Sequence, residues 1–93
     1  MIEPNYPHEH RLRRMRFRAW HRGTREADYM IGGFFDRYHT DWDEVACAWF
    51  EVLLEEQDVD ILGWALGTIA VPQAFAGPQM ELLCKLDYVE IPR

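Results

Sequence analysis

Apolar side chains recur every three to four residues through most of this chain, and glycines, prolines and capping residues cut the recurrence into five stretches. Leu12, Met15 and Ala19, with Trp20 beside them, predict a first helix over about 8–21. Before it lies a segment expected to be irregular, residues 1–7, because two prolines stand close together there. Gly23 ends the first helix, since glycine enters the left-handed backbone region without steric cost. Thr24 caps a second helix whose first turn carries Glu26 and Asp28, where negative charge complements the helix dipole. Its apolar stripe reads Ala27, Ile31, Phe34, Phe35 and Tyr38. Gly32-Gly33 interrupts the stripe, and because a glycine inside a helix costs about 1 kcal/mol against alanine, the pair predicts a kink or a close helix contact.

Asp41 with Glu44 reads as a capping box opening a third helix that runs to about Glu56. Val45, Ala48, Trp49, Val52 and Leu53 form its expected buried stripe, with Glu51, Glu55 and Glu56 on the wet side. Asp58 caps a short fourth helix carrying Ile61, Leu62, Ala65 and Leu66, closed by Gly67. Thr68-Ile69-Ala70-Val71 has strand character, but a lone strand has no ladder partner and Pro72 stops it, so 68–78 reads as a connection. Pro78 suits the first turn of a last helix with Met80, Leu83, Cys84 and Tyr88 as its stripe. The expected fold class is all-α, a small five-helix bundle forming a single domain over 1–93.

Size limits what such a bundle can do. A chain of 93 residues buries only about 60–65% of its unfolded surface, enough for one core and little for an enclosed active-site cavity as well. Charge divides the chain. Residues 1–25 carry seven arginines against Glu3 and Glu9, a balance of +5, while 26–93 carry three basic and fourteen acidic residues, a balance of −11. A basic segment on an acidic body steers toward an acidic protein partner, and the acidic body repels the phosphates of nucleic acid. A solvated helix face explains a charge run equally well when the run stands alone.

Cys47 and Cys84 are far apart, form no CxxC pair and lie among apolar residues, which reads as two small buried thiols in a reducing compartment. No apolar run approaches the roughly 20 residues that span a bilayer. The N-terminus lacks the apolar stretch of a secretory signal, and Glu3, Glu9 and the prolines fit a transit peptide poorly. The expectation is a cytoplasmic monomer with no membrane insertion.

Catalytic signatures are missing. The chain has no GxGxxG or GxxxxGK[ST] phosphate loop, no GxSxG elbow and no HExxH helix. His8 and His10 are two apart, whereas helical ligand pairs prefer three or four, and capping accounts for Asp41, Asp43 and Glu44. No catalytic residue, metal site or firmly held cofactor is expected.

One segment stands out: Arg22-Gly23-Thr24-Arg25-Glu26-Ala27-Asp28, at the junction of the first two helices. Gly23 permits a tight turn that brings a cationic helix end beside an anionic helix start. Arg22 can then project a guanidinium fork suited to carboxylate or phosphate, with Glu26 orienting it or facing a partner. By spacing alone the segment reads as well as a capped junction with a surface ion pair, worth about 0–1 kcal/mol.

The segment resembles the RGxxE motif of the SdhE family, the succinate dehydrogenase assembly factors or flavinators. Asp28 follows at the family's offset, and Phe34-Phe35-Asp36 is similar to its aromatic pair and acidic residue. Phe50-Glu51-Val52-Leu53-Leu54-Glu55 with Asp58, Asp60, Ile61 and Trp64 resembles a second family stretch, so that the resemblance covers about 11–90. It implies a five-helix fold and assistance to covalent attachment of FAD to a histidine of the partner, the flavoprotein subunit of succinate dehydrogenase and, in some bacteria, of fumarate reductase. FAD would be delivered to or attached on the partner and not held here. Arg22, Gly23 and Glu26 carry over as the binding motif, with Thr24, Arg25 and Asp28 in the same partner-binding surface. His21, the bulky Trp20 and the Gly32-Gly33 pair depart from the family pattern.

Two other classes fit parts of the sequence. In a nucleic-acid-binding helix–turn–helix the arginines would be expected after the turn and not before it. An antitoxin-like or other regulatory protein-binding module would share the same docking chemistry.

Overall fold

Side chains cap the starts of two helices of this chain, and left-handed residues end two others. The computed structural model describes residues 6–89, and within them the elements are α1 (Tyr6–Trp20), α2 (Arg25–Tyr38), α3 (Glu44–Leu53), α4 (Asp58–Leu66) and α5 (Pro78–Lys85). Short 3-10 turns lie at His39–Asp41 and Gln73–Phe75, and no strand occurs among the described residues. The described residues thus form an all-α fold of five helices. α1 includes Tyr6 and Pro7, which the sequence reading assigned to the irregular segment 1–7, because a proline in the first turn gives up no N–H that the helix uses. Residues 1–5 of that segment lie outside the described residues.

Thr24 caps α2 as expected, its Oγ1 accepting from the Ala27 N–H at 3.2 Å. Gly67 closes α4 with φ 82°, and Pro78 opens α5. Three boundaries differ from the sequence reading. The cap of α3 is Asp43, whose Oδ1 accepts from the Ala46 N–H at 2.9 Å, while Asp41 sits in the preceding 3-10 turn. α3 ends at Leu53 and not near Glu56. Asp58 is the first residue of α4, and the cap position falls to Gln57, which gives no side-chain hydrogen bond.

The core forms around two adjacent phenylalanines of α2. Phe34 is fully buried, and its ring lies 5.3–6.2 Å from those of Tyr38, Trp42, Trp49, Phe50 and Tyr88. Phe35 is stacked on His39 and faces Trp42 and Phe50. Full burial of such a ring stabilises by about 1.5–3 kcal/mol, and each well-placed aromatic pair adds about 0.5–1.5 kcal/mol. Tyr88 locks the far end of the core. Its hydroxyl donates to the Leu83 carbonyl at 2.7 Å, and burial pushes its phenol above the ordinary tyrosine range.

α3 is rotated from the expected orientation. Ala46, Cys47, Phe50 and Leu53 face inward, whereas Val45 and Val52 are exposed. Both stripes are apolar at helical spacing, and the large Phe50 ring finds its place against Phe34 and Phe35. Trp49 is left at the margin, donating its indole N–H to the Phe75 carbonyl at 3.1 Å. Leu66, expected in the core, is exposed. Cys47 is buried as expected, but Cys84 is exposed, because Leu83 and Met80 already fill the inner face of α5.

α1 packs mainly along α2, and the contact explains two departures from the family pattern at once. α2 stays helical through Gly32-Gly33 without a break. A Cβ on Gly32 would fall 2.3 Å from Cδ2 of Trp20, and one on Gly33 would lie 3.3 Å from the Tyr88 carbonyl oxygen. The bulky Trp20 thus occupies the space that Gly32 leaves, which bears out the close contact. Arginine chemistry joins α1 to α3 on its other side. Arg11 donates to Glu44 at 2.6 Å and to Glu51 at 2.7 Å. The hydrogen bond from Arg11 holds the Glu44 carboxyl below the usual carboxylate range.

Two tests follow from this packing. Gly32→Ala destabilises the domain by about 1–3 kcal/mol in urea unfolding, because overpacking outweighs the ~1 kcal/mol gain in helix propensity. In a Trp20→Ala background the same substitution reverses sign and stabilises; equal effects in both backgrounds would contradict the contact. The folded pKa of Glu44 lies below its unfolded value, so the pair's contribution is complete above the unfolded pKa and disappears as pH falls through the folded one. The urea midpoint therefore drops in that acid range, and Arg11→Gln flattens the drop.

Candidate functional site

The junction of α1 and α2 is a turn pinned from both sides. Gly23 has φ 109°, a conformation that L side chains rarely adopt. Asp28, one turn into α2, accepts the Arg22 backbone N–H on Oδ1 at 2.6 Å, and the Asp28 N–H bonds the Thr24 carbonyl at 2.9 Å. The chain is thereby folded back on itself within six residues.

The guanidinium fork of Arg22, expected to meet a carboxylate or phosphate, meets a carboxylate of this chain. The side chain is only 10% exposed and reaches across to the α3–α4 link. Nε donates to Asp58 Oδ1 at 2.7 Å, and the two terminal nitrogens donate to the carbonyls of Leu54 and Glu56, each at 3.0 Å. The last carbonyls of a helix lack intrahelical partners and sit at the negative end of its dipole, so a guanidinium there satisfies hydrogen bonding and charge together. Arg18 reinforces the junction, donating to the Leu54 carbonyl at 3.3 Å and pairing with Glu55 at 2.7 Å. The two stretches that carry the family resemblance therefore meet in space, the arginine of the first on the aspartate of the second.

The remaining residues of the segment face outward. Gly23, Thr24, Arg25 and Glu26 are exposed. The side chains of Arg25 and Glu26 make no hydrogen bond or ion pair with another described residue. Beside the turn lies an open hollow of about 500 Å³, walled by Trp20, His21, Arg25, Asp28 and Tyr29. Trp20 and Tyr29 meet edge to face, with ring centroids 6.1 Å apart, and separate it from a second hollow of about 310 Å³ bounded by Asp36, Arg37 and Tyr88. Sequence reasoning did not anticipate Asp58, the two carbonyls or the Trp20–Tyr29 wall. The conspicuous Trp20 was the available signal for the wall, while backbone acceptors leave no trace in side-chain identity. Among the described residues no three His, Cys, Asp or Glu side chains gather as a metal site requires, and no helix is long and apolar enough to cross a membrane.

The sequence pattern of a family described as "Flavinator of succinate dehydrogenase" matches residues 13–87. Similar relatives include the FAD assembly factor SdhE of Acetobacter pasteurianus, 36% identical over 71 residues, covering 76% of this chain and 65% of the relative. Succinate dehydrogenase assembly factor 2, mitochondrial, of Drosophila grimshawi is 33% identical over 82 residues, covering 86% and 56%. Succinate dehydrogenase assembly factor 2-A, mitochondrial, of Drosophila mojavensis is 31% identical over 84 residues, covering 88% and 54%. The matches thus span between about half and two thirds of those relatives' lengths. No solved structure matches significantly.

The geometry separates stability from surface. Arg22→Met leaves Asp58 and the Glu56 carbonyl without their donor, and the Leu54 carbonyl with Arg18 alone, and costs about 2–4 kcal/mol in urea unfolding. Glu26→Ala, which removes only a favourable charge at a helix start, costs less than about 1 kcal/mol. A small loss for Arg22→Met would show that the clamp is not structural.

Proposed function

The chain belongs to the family of succinate dehydrogenase flavinators, and from that premise we propose that it binds the flavoprotein subunit of succinate dehydrogenase and promotes covalent attachment of FAD to it. The observation that carries this reading is the inward commitment of Arg22, which holds Gly23, Thr24, Arg25 and Glu26 outward on a stiff turn beside an open hollow. A turn held in place loses little conformational freedom on docking, and that lowers the cost of binding.

In this reading the chain makes and breaks no covalent bond. The flavin and the acceptor histidine both belong to the partner, and this chain keeps the partner in a geometry where the two meet. Positioning of reacting groups can supply up to about 7–11 kcal/mol in well-oriented systems. Arg22 and Asp28 act as positioning residues for the turn, while Gly23, Thr24, Arg25 and Glu26 meet the partner. The flavoprotein of fumarate reductase is a second client for the same surface. The protein works as a monomer in the cytoplasm, a reducing compartment in keeping with its two free cysteines.

The test is in-gel flavin fluorescence of apo flavoprotein subunit incubated with FAD and then denatured. A covalent flavin band grows faster with this protein, is lost with Gly23→Arg and weakens with Glu26→Ala. Space around Gly23 is open, so the new side chain projects toward the docking face on a strained turn while the helices persist. Full flavinylation by both variants would remove the turn from the site, and a band indifferent to the wild-type protein would remove the function.

A further inference from the structure

The arginines of the N-terminal segment divide into two sets with different tasks. Arg11, Arg18 and Arg22 turn toward the α3–α4 side and bond carboxylates or carbonyls there. Arg13, Arg14 and Arg25 are exposed and form no ion pair or side-chain hydrogen bond with a described residue, and Arg16 reaches Asp36 only at 3.7 Å. Within the outward set stands Phe17, 62% exposed.

Phe17 is held rather than loose. His21 stacks on its ring at 4.0 Å and 17°, and the Nδ1 of that imidazole hydrogen-bonds the Phe17 carbonyl at 2.7 Å. Phe17 borders two open hollows, one lined also by Arg13, Arg14 and Arg18, the other by Arg13, Trp20, His21 and Asp36. His21 and Trp20 also wall the hollow beside the Gly23 turn, so the surface continues from α1 into the docking turn.

We propose that this outer face of α1 is a second docking element, in which Phe17 is an apolar anchor and Arg13, Arg14 and Arg25 engage an acidic surface of the flavoprotein that carries an apolar socket. The inference rests on the function proposed above and extends its interface beyond the turn. Charge complementarity favours an acidic partner, since among the described residues Arg13, Arg14 and Arg25 have no ion pair to break on binding. Aromatic anchors ringed by arginine are the residue types over-represented where binding energy concentrates. A nucleic-acid strand fits less well. His21 already covers one face of the Phe17 ring, which leaves a single face for a base, and the net charge of −6 opposes a long polyanion more than a local acidic patch.

The experiment measures binding of the wild-type protein and variants to apo flavoprotein subunit by biolayer interferometry across a salt series, with in-gel flavinylation alongside. Phe17→Ser weakens binding about tenfold or more, chiefly through faster dissociation. Arg13→Glu with Arg14→Glu slows association and flattens the salt dependence. Val52→Ser, on exposed α3 surface, leaves both unchanged. All these positions are exposed, and unchanged urea midpoints verify that the variants fold. If the wild type binds and flavinylates while Phe17→Ser and the double reversal behave like it, the second docking element is wrong and the turn reading stands. If the wild type neither binds nor flavinylates, both fall. Tight, salt-dependent binding to random duplex, lost in the double reversal but not in Phe17→Ser, would overturn the protein-partner assignment.

Discussion

The guanidinium of Arg22 joins two helix junctions that are distant in sequence, and the shape of the candidate site depends on it. Its three side-chain hydrogen bonds end on Asp58 and on the carbonyls of Leu54 and Glu56, while its own backbone N–H is taken by Asp28. The negative end of α3, the start of α4 and the turn before α2 are thereby held to one planar cation. A planar fork with fixed donor directions suits that task, whereas a lysine ammonium could not span the same acceptors. The price of such a clamp is the partial desolvation of a charge, and the arrangement is stable because every acceptor it meets is itself in need of a donor.

The same economy appears in the contact between α1 and α2. A tryptophan at position 20 and a glycine at position 32 would each weaken the structure alone, one by bulk and the other by backbone freedom. Together they form a single packed unit, because the ring occupies the volume a Cβ would need. The unit also has a surface consequence. The outer part of the Trp20 ring and the neighbouring Tyr29 wall the hollows next to the turn, so a packing solution inside the domain shapes the face it offers.

A small bundle of this kind suits the docking role proposed for it. Its largest buried side chains gather in a core centred on Phe34 and Phe50, and the hollows beside the turn are open rather than enclosed. What it can present to another protein is rigid relief: a pinned turn, a held aromatic ring and arginines at set distances. Splitting the arginines between internal clamps and outward charges makes that relief stiff and basic on the surface of a chain that is acidic overall.

Much of the fold was legible in the sequence because it is governed by local rules. Helix period, Thr24 as a cap, Gly23 and Gly67 as stops, Pro78 as a start and the Phe34-Phe35 pair as core all follow from backbone sterics and short-range hydrogen bonding. The site segment was legible as a place for the same reason, since a glycine turn between oppositely charged helix ends is a local pattern. Tertiary structure decided what local rules leave degenerate. α3 carries two apolar stripes, and only the fit of Phe50 against α2 chose between them. Arg22 had water, a partner and an internal cluster as competing acceptors, and the choice fell to groups 32 to 36 residues away, two of them backbone carbonyls that any residue would supply. The direction of a long charged side chain is set by where the rest of the chain places unsatisfied acceptors, and that placement exists only once the helices have packed.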